Sequence, residues 1–336
     1  MTRGLLRDLG AFGFLLLLSG CGGGGTSGPS PVPTIQPTRS LILTAFLDEN
    51  ENGVLDPSEG TRIPNVEIAV GGARGRTAGP TGEATVQAPE GTQNLEVTAA
   101  TLPPFYRPPA ARTVTVPATG PVMVPITLPR GSNRANVYMA FGDSITNGEP
   151  EVGDGKGYRL ILESKLRAHF GSAEIVNQGD DGTRSDFGAQ RIGGSLASVQ
   201  PAFTLILYGT NDWNDSACNQ VPCFTTTSLR LMVQQINRLR GHAFLGTITP
   251  INTGYDSRAP ASRNDWVDAQ NAIIKQIADE EGAVLVDLND AFKKTGMPYP
   301  SLFVDHVHPT SSGYQIMAQT WFDAITSAYS KILSEF

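Results

Sequence analysis

The chain has 336 residues, 40% of them apolar and 17% charged, enough for two bodies that each bury a core. Its formal net charge is −7, with Lys and Arg scattered along the chain, so there is no basic face for nucleic-acid phosphates and no nucleic-acid partner is expected. Three cysteines are too few for a disulfide framework, and no Cys-x-x-Cys pair points to zinc.

The first element is a leader. In MTRGLLRDLGAFGFLLLLSGC (1–21), Arg3 and Arg7 accompany an apolar stretch, Leu9 to Leu18, that is too short to span a bilayer comfortably. LSGC at 18–21 resembles the bacterial lipobox. That resemblance implies cleavage before Cys21, attachment of lipid to it, and an exported protein held to the cell envelope through this residue. The alternative is an ordinary secretory signal cut nearby. GGGGTSGPSPVPTIQPT (22–38) has nothing to bury and reads as a tether. Export suits Cys218 and Cys223 of CNQVPC, which an oxidising compartment lets pair in a structural role, reduced thiols being the alternative.

From 39 to 130 come short β-type runs: LILTAF (41–46), NVEIAV (65–70), EATVQA (83–88), NLEVTA (94–99), RTVTV (112–116) and VMVPITL (122–128). Several alternate with period two and none has a helical period, which predicts a small β-sandwich. Within this region lies DENENGVLDPSE (48–59). Asp48, Asn50, Asn52, Gly53, the Val54 carbonyl, Asp56 and Glu59 occupy positions 1, 3, 5, 6, 7, 9 and 12 of an EF-hand-type calcium loop. Calcium wants several hard oxygens, and this spacing turns them inward about a glycine bend. An Asx-rich turn is the alternative. No helix pair flanks the loop; the segment instead resembles the calcium-loop β-modules of bacterial surface proteins, the SdrD B-like family, which implies a structural Ca2+ that stiffens the module.

From 133 to 336 the period changes. VYMAF (137–141), AEIV (173–176), FTLILY (203–208), HAFLGTI (242–248) and AVLVDL (283–288) alternate with helical stretches, predicting an α/β fold whose five-stranded parallel sheet is covered on both faces. Leu229, Met232, Val233, Ile236 and Leu239 recur at helical spacing, as do Trp266, Ala269, Ile273 and Ile277. GYQIMAQTWFDAITSAYSKIL (313–333) closes the chain as an amphipathic helix. In such sheets, sites lie beyond the carboxyl ends of the strands.

Ser144, in AFGDSITNG (140–148), follows the first strand. It is either a helix cap together with Asp143 or a nucleophile that needs a base. Four histidines are available. His169, in SKLRAHF, reads as part of a solvated face, and His242 as packing or a cap. DHVHPT (305–310) differs, because Asp305 three residues before His308 can hold Nδ1 and leave Nε2 free; His306 is the competitor. YGTND (208–212) puts the Asn211 amide at the same sheet end as a donor for an oxyanion, and VNQGDDGTRSD (176–186) supplies glycine N–H groups.

These blocks, taken in order, resemble the SGNH (GDSL) hydrolase family over 136–333. FGDSIT corresponds to its nucleophile block, implying Ser144 as nucleophile. NQGDDGT implies Gly182 as the oxyanion glycine, with Gly179 its rival; GTND implies Asn211, and DHVHP implies Asp305 and His308. The resemblance implies a three-layer α/β/α sandwich, no cofactor for the chemistry, and a small-molecule or glycan ester as substrate. Asp180 and Asp181 depart from the small or apolar residues usual in the second block and disfavour anionic substrates. The reading is a serine esterase acting through a Ser-His-Asp arrangement on O-acetyl or short acyl esters of glycans. A lipid-directed esterase or lysophospholipase and a non-catalytic glycan-binding surface lipoprotein are the alternatives.

Overall fold

Two sheets whose strands interleave along the chain precede one parallel sheet. They were followed in a computed structural model that describes residues 36–148 and 157–328. The leader, Cys21, nearly all of the tether and the last residues of the expected terminal helix lie outside the described residues.

The N-terminal module has β1 (Thr38–Leu47), β2 (Glu67–Val70), β3 (Ala73–Arg76), β4 (Glu83–Pro89), β5 (Gly91–Val97), β6 (Arg112–Val116) and β7 (Val122–Ile126). They form a sheet ordered β4-β1-β7 and another ordered β3-β2-β5-β6. Alternation explains the layering. Ala84, Val86 and Ala88 of β4 turn inward with Leu41, Leu43 and Ala45 of β1, and meet Ile68, Val70 and Leu95 of the other sheet in one core. Strand β3 was not expected. Its sequence, ARGR, has no apolar alternation, and pairing with β2 decides its conformation. Strand β7 pairs with β1 in parallel and the module's other pairs are antiparallel.

The second body has the five expected strands, β8 (Arg134–Gly142), β9 (Glu174–Gly179), β10 (Pro201–Leu207), β11 (His242–Gly246) and β12 (Val284–Val286). All pair in parallel in the order β12-β11-β10-β8-β9. The order reverses between β8 and β10, the switch point where such sheets open a crevice. Helices α1 (Ser144–Asn147), α2 (Gly157–Phe170), α3 (Ser185–Val199), α4 (Phe224–Arg238), α5 (Ser262–Glu280), α6 (Leu288–Lys294), α7 (Tyr299–Leu302) and α8 (Ser311–Thr326) connect and cover the strands. Alternate strand residues serve opposite faces. Tyr138, Ala140, Phe203 and Leu205 pack with Leu162, Leu166 and Trp321 of α2 and α8. Val137, Met139, Phe141 and Ile206 pack with Ile192, Leu229, Met232 and Ile274 of α3, α4 and α5.

From Pro37 on, the chain forms one compact unit. The module reaches the amino end of the parallel sheet through aromatic contacts. Phe105 stacks on His242 at 4.2 Å, and Tyr106 stacks against Phe203 and Phe170 at 6.3 and 6.4 Å. His242 is therefore a packing residue. His169 departs from its expected solvated face: it is half-buried edge-on against Phe170 and Phe322, because α8 covers that side of α2. Cys218 and Cys223 are disulfide-bonded.

Candidate active site

The carboxyl end of β8 is shaped by what glycine allows. A side chain on Gly142 would lie 2.4 Å from the Leu207 carbonyl oxygen, so only glycine lets β8 and β10 approach there. Asp143 then caps α1, its Oδ1 accepting the Ile145 N–H at 3.0 Å, and the next residue, Ser144, is turned toward the sheet end. Capping and presentation of a hydroxyl are thus both served by one turn, with the two roles on neighbouring residues.

Ser144 Oγ lies 2.8 Å from His308 Nε2. On the far side of the ring, His308 Nδ1 is 2.8 Å from Asp305 Oδ2. The other Asp305 oxygen accepts the backbone N–H groups of Val307 and His308, both at 2.7 Å. Burial alone would raise the Asp305 carboxyl, but these bonds outweigh it and hold the group well below the usual carboxylate range. It is a fixed anion facing an imidazole. His306 is placed differently: buried, with Nδ1 3.9 Å from Asp305 and its basicity lowered by burial. The turn holding both histidines is tied to the loop after β11, where the Asn252 N–H reaches the His306 carbonyl and its side-chain amide reaches the Asp305 carbonyl, both at 3.0 Å.

Asn211 follows β10. Its Nδ2 lies 3.0 Å from the Thr183 carbonyl and 3.4 Å from Asp143 Oδ2, which brings the GTND loop against the NQGDDGT loop. Burial pushes the Asp143 carboxyl up to about 7. The two glycines of the latter loop differ. Gly179 ends β9 and its N–H already donates to Asn177 Oδ1 at 2.9 Å. Gly182 is exposed at φ +70, a conformation that favours glycine, and among the described residues its N–H has no hydrogen-bond acceptor. Asp180 and Asp181 are exposed beside it, and Asp181 accepts from the Asn147 amide at 2.8 Å.

Sequence reasoning missed the supports. Buried Asp212 accepts the Ser185 N–H and hydroxyl at 2.9 and 2.5 Å and the Thr225 hydroxyl at 2.6 Å, joining the starts of α3 and α4. Arg263 of α5, fully buried, donates to the Thr210 carbonyl at 2.9 Å. The polar residue next to Asn211 was the one available signal for Asp212; nothing local marks Arg263 or Asn252, whose partners come from distant segments.

Residues 140–316 match the model of the GDSL-like Lipase/Acylhydrolase family. The chain belongs to this family. As an acylhydrolase of the GDSL type it is a carboxylic ester hydrolase. No curated protein sequence matches the chain significantly. Among solved structures, a variant of Axe2, an acetyl xylan esterase from Geobacillus stearothermophilus, is 23% identical with a TM-score of 0.50, covering 59% of this chain and 97% of its own. LAE5, an alpha/beta hydrolase enzyme from the metagenome of Lake Arreo, Spain, is 22% identical with a TM-score of 0.48, covering 59% and 98%. At 23% identity the likeness to the Axe2 variant is one of fold. The matched segment includes Ser144, Gly182, Asn211, Asp305 and His308.

The calcium-type loop lies in the module. Asp48 accepts the Asn52 and Gly53 N–H groups at 3.1 and 2.8 Å, and Glu59 accepts those of Glu49 and Asp56 at 2.7 and 3.0 Å. Asn50 and Asn52 amides both donate to Asp56 Oδ2, at 2.7 and 2.9 Å. The loop is closed by its own Asx turns. Among the described residues, no group of three or more His, Cys, Asp or Glu side chains is gathered to hold a metal.

Proposed function

We propose that the protein removes O-acetyl or short acyl groups from glycans through an acyl-enzyme on Ser144. The observation that carries the reading is the 2.8 Å contact between Ser144 Oγ and His308 Nε2, backed by the 2.8 Å contact of His308 Nδ1 with Asp305. His308 takes the Ser144 proton as Oγ forms a bond to the ester carbonyl carbon. Asp305 holds the ring with Nδ1 protonated and stabilises the imidazolium. The negative oxygen of the tetrahedral intermediate is met by the Ser144 and Gly182 N–H groups and by Asn211 Nδ2, which exchanges its long contact to Asp143 for the stronger acceptor. The C–O bond to the alcohol then breaks, with the proton on His308 passing to the leaving oxygen. Water, deprotonated by the same nitrogen, attacks the acyl-enzyme and frees acid and serine. No cofactor enters these steps.

Support for a glycan alcohol comes from the polar, acidic rim of Asp180 and Asp181, which suits a hydroxylated neutral substrate, and from the shared fold with an acetyl xylan esterase. The test compares p-nitrophenyl acetate, p-nitrophenyl palmitate and acetylated xylan as substrates for the wild type and Ser144→Ala. Release of acetate abolished by the substitution is the expected result; equal rates would overturn the mechanism, and preference for the palmitate would replace glycan by lipid.

Two further proposals concern the rest of the chain. Lipidation at Cys21 anchors the protein to the cell envelope; radiolabelled palmitate should enter the wild type and not Cys21→Ala. In the module, Asp48, Asn50, Asn52, the Val54 carbonyl, Asp56 and Glu59 would hold calcium, since carboxylate oxygens that accept one N–H keep a second lone pair, and half a turn of the two Asn amides would present oxygens to the loop interior. The ion would stiffen the module. Calcium should raise the melting temperature and a chelator lower it; an unchanged curve leaves an ordinary turn.

A further inference from the structure

Arg191, on α3, takes no part in the steps above, yet its guanidinium touches the ends of three strands. Nη2 lies 2.5 Å from the Gln178 carbonyl, 2.7 Å from the Tyr208 hydroxyl and 3.2 Å from the Gly142 carbonyl, and Nε lies 3.2 Å from the same hydroxyl. The charge sits 4.3 Å from the centre of the Phe141 ring. Each partner leads into a different loop of the site. Gly142 is two residues before Ser144, Gln178 is four before Gly182, and Tyr208 is three before Asn211.

The approach of α3 that makes this possible depends on Gly188, three residues earlier and on the same helix face. A Cβ there would lie 2.7 Å from the Tyr208 ring and 2.7 Å from Met232. With that space open, the helix lies close against β10, and the side chain one turn on reaches the strand ends. The Gln178 carbonyl belongs to the edge strand β9, and the Gly142 carbonyl, which already accepts the Asp180 N–H at 3.0 Å, has a second lone pair for the guanidinium. A planar guanidinium presents several N–H groups in fixed directions. Lysine would lack the Nε donor to the Tyr208 hydroxyl and the planar group that lies against the Phe141 ring.

We propose that Arg191 is a positioning residue for ester hydrolysis: it sets the spacing between the nucleophile turn and the two loops that bear the oxyanion donors. The inference rests on the mechanism proposed above for Ser144. Loss of this spacing acts on the transition state more than on substrate binding, because the ester carbonyl becomes an anion only after attack, and misplacement by about 1 Å costs on the order of 100-fold.

The test uses full-length protein and p-nitrophenyl acetate, with active sites counted by titration with a p-nitrophenyl phosphonate so that rates refer to competent molecules. Arg191→Met should lower kcat per titrated site by roughly 30- to 100-fold with KM within about threefold, and slow phosphonylation of Ser144 in parallel. Arg191→Lys should recover part of the loss. Tyr208→Phe removes two of the four contacts and keeps the ring, and should cost roughly three- to tenfold in kcat; it decides the matter by the same readouts if Arg191→Met does not fold. Wild-type kcat per titrated site in the folded variants would overturn the inference, as would a loss confined to melting temperature. An active Ser144→Ala would instead remove the mechanism itself, so the two failures are told apart.

Discussion

The two ends of the parallel sheet differ in the chemistry that dominates them. At the amino end the module meets the body chiefly through rings, Phe105 on His242 and Tyr106 against Phe203 and Phe170, with two hydrogen bonds beside them, from the Arg62 N–H to the Phe170 carbonyl and from the Thr61 hydroxyl to Asn136 Oδ1. Phe105 holds φ +73 to do so, a costly conformation for an aromatic residue that the stack must offset. At the carboxyl end the contacts are hydrogen bonds among buried or half-buried polar groups: Asp143, Asp212, Asn252, Arg191 and the Ser144–His308–Asp305 chain. Apolar stacking is non-directional and contributes stability; hydrogen-bonded networks fix direction, which is what a reacting geometry requires. One end holds the fold together, and the other holds atoms at set distances.

Substitutions should separate the two roles. The largest effect is expected at the carboxyl end, where Ser144→Ala or His308→Ala should lower kcat by more than about 1,000-fold while leaving the melting temperature nearly unchanged. Asn211→Ala follows with roughly 100-fold in kcat and little change in KM; a KM effect alone would move Asn211 from oxyanion donor to substrate binder. At the amino end, Phe105→Ala should destabilise by about 2–3 kcal/mol, read by denaturant unfolding, with kcat of the folded enzyme intact. A fall in kcat instead would mean that the two ends are coupled.

The smallest effects lie in the pH dependence, where the ends should have opposite slopes. Burial pushes the His242 imidazole down to about 4 from the ordinary 6.5. The unfolded chain binds the proton more readily, so this contribution is present at neutral pH and lost as pH falls from about 6.5 toward 4. Asp143, held up to about 7 by burial, keeps its proton when folded. Its contribution is present below the ordinary carboxylate range and lost as pH rises toward 7. Between pH 4 and 7, the melting temperature should therefore lose its rise with pH in His242→Phe and lose its fall with pH in Asp143→Asn. Identical curves in the two variants would erase the contrast.

Legibility in the sequence followed the same division between local and distant causes. The five parallel strands stand out because both faces are buried and each run is apolar throughout. Strand β3 does not, because ARGR pairs only through its neighbour β2. His169 carries no local sign that α8 will cover it. Asp305 and His308 are three residues apart, so their contact is written into the chain as a turn. The glycines of NQGDDGT illustrate the limit: spacing left Gly179 and Gly182 as rivals, and only the placement of Asn177 shows that the Gly179 N–H already has an acceptor.

By itself, the sequence determined the order of elements, the sheet's periodicity and the residue types brought to its carboxyl end, because these follow from side-chain period and turn chemistry within a few residues. Tertiary structure alone decided that residues 144 and 308 face each other, that a guanidinium from α3 spans three strand ends, and that the module sits at the opposite end of the sheet. Those facts depend on which distant segments share a core, and a linear pattern of apolar and polar residues does not specify the pairing.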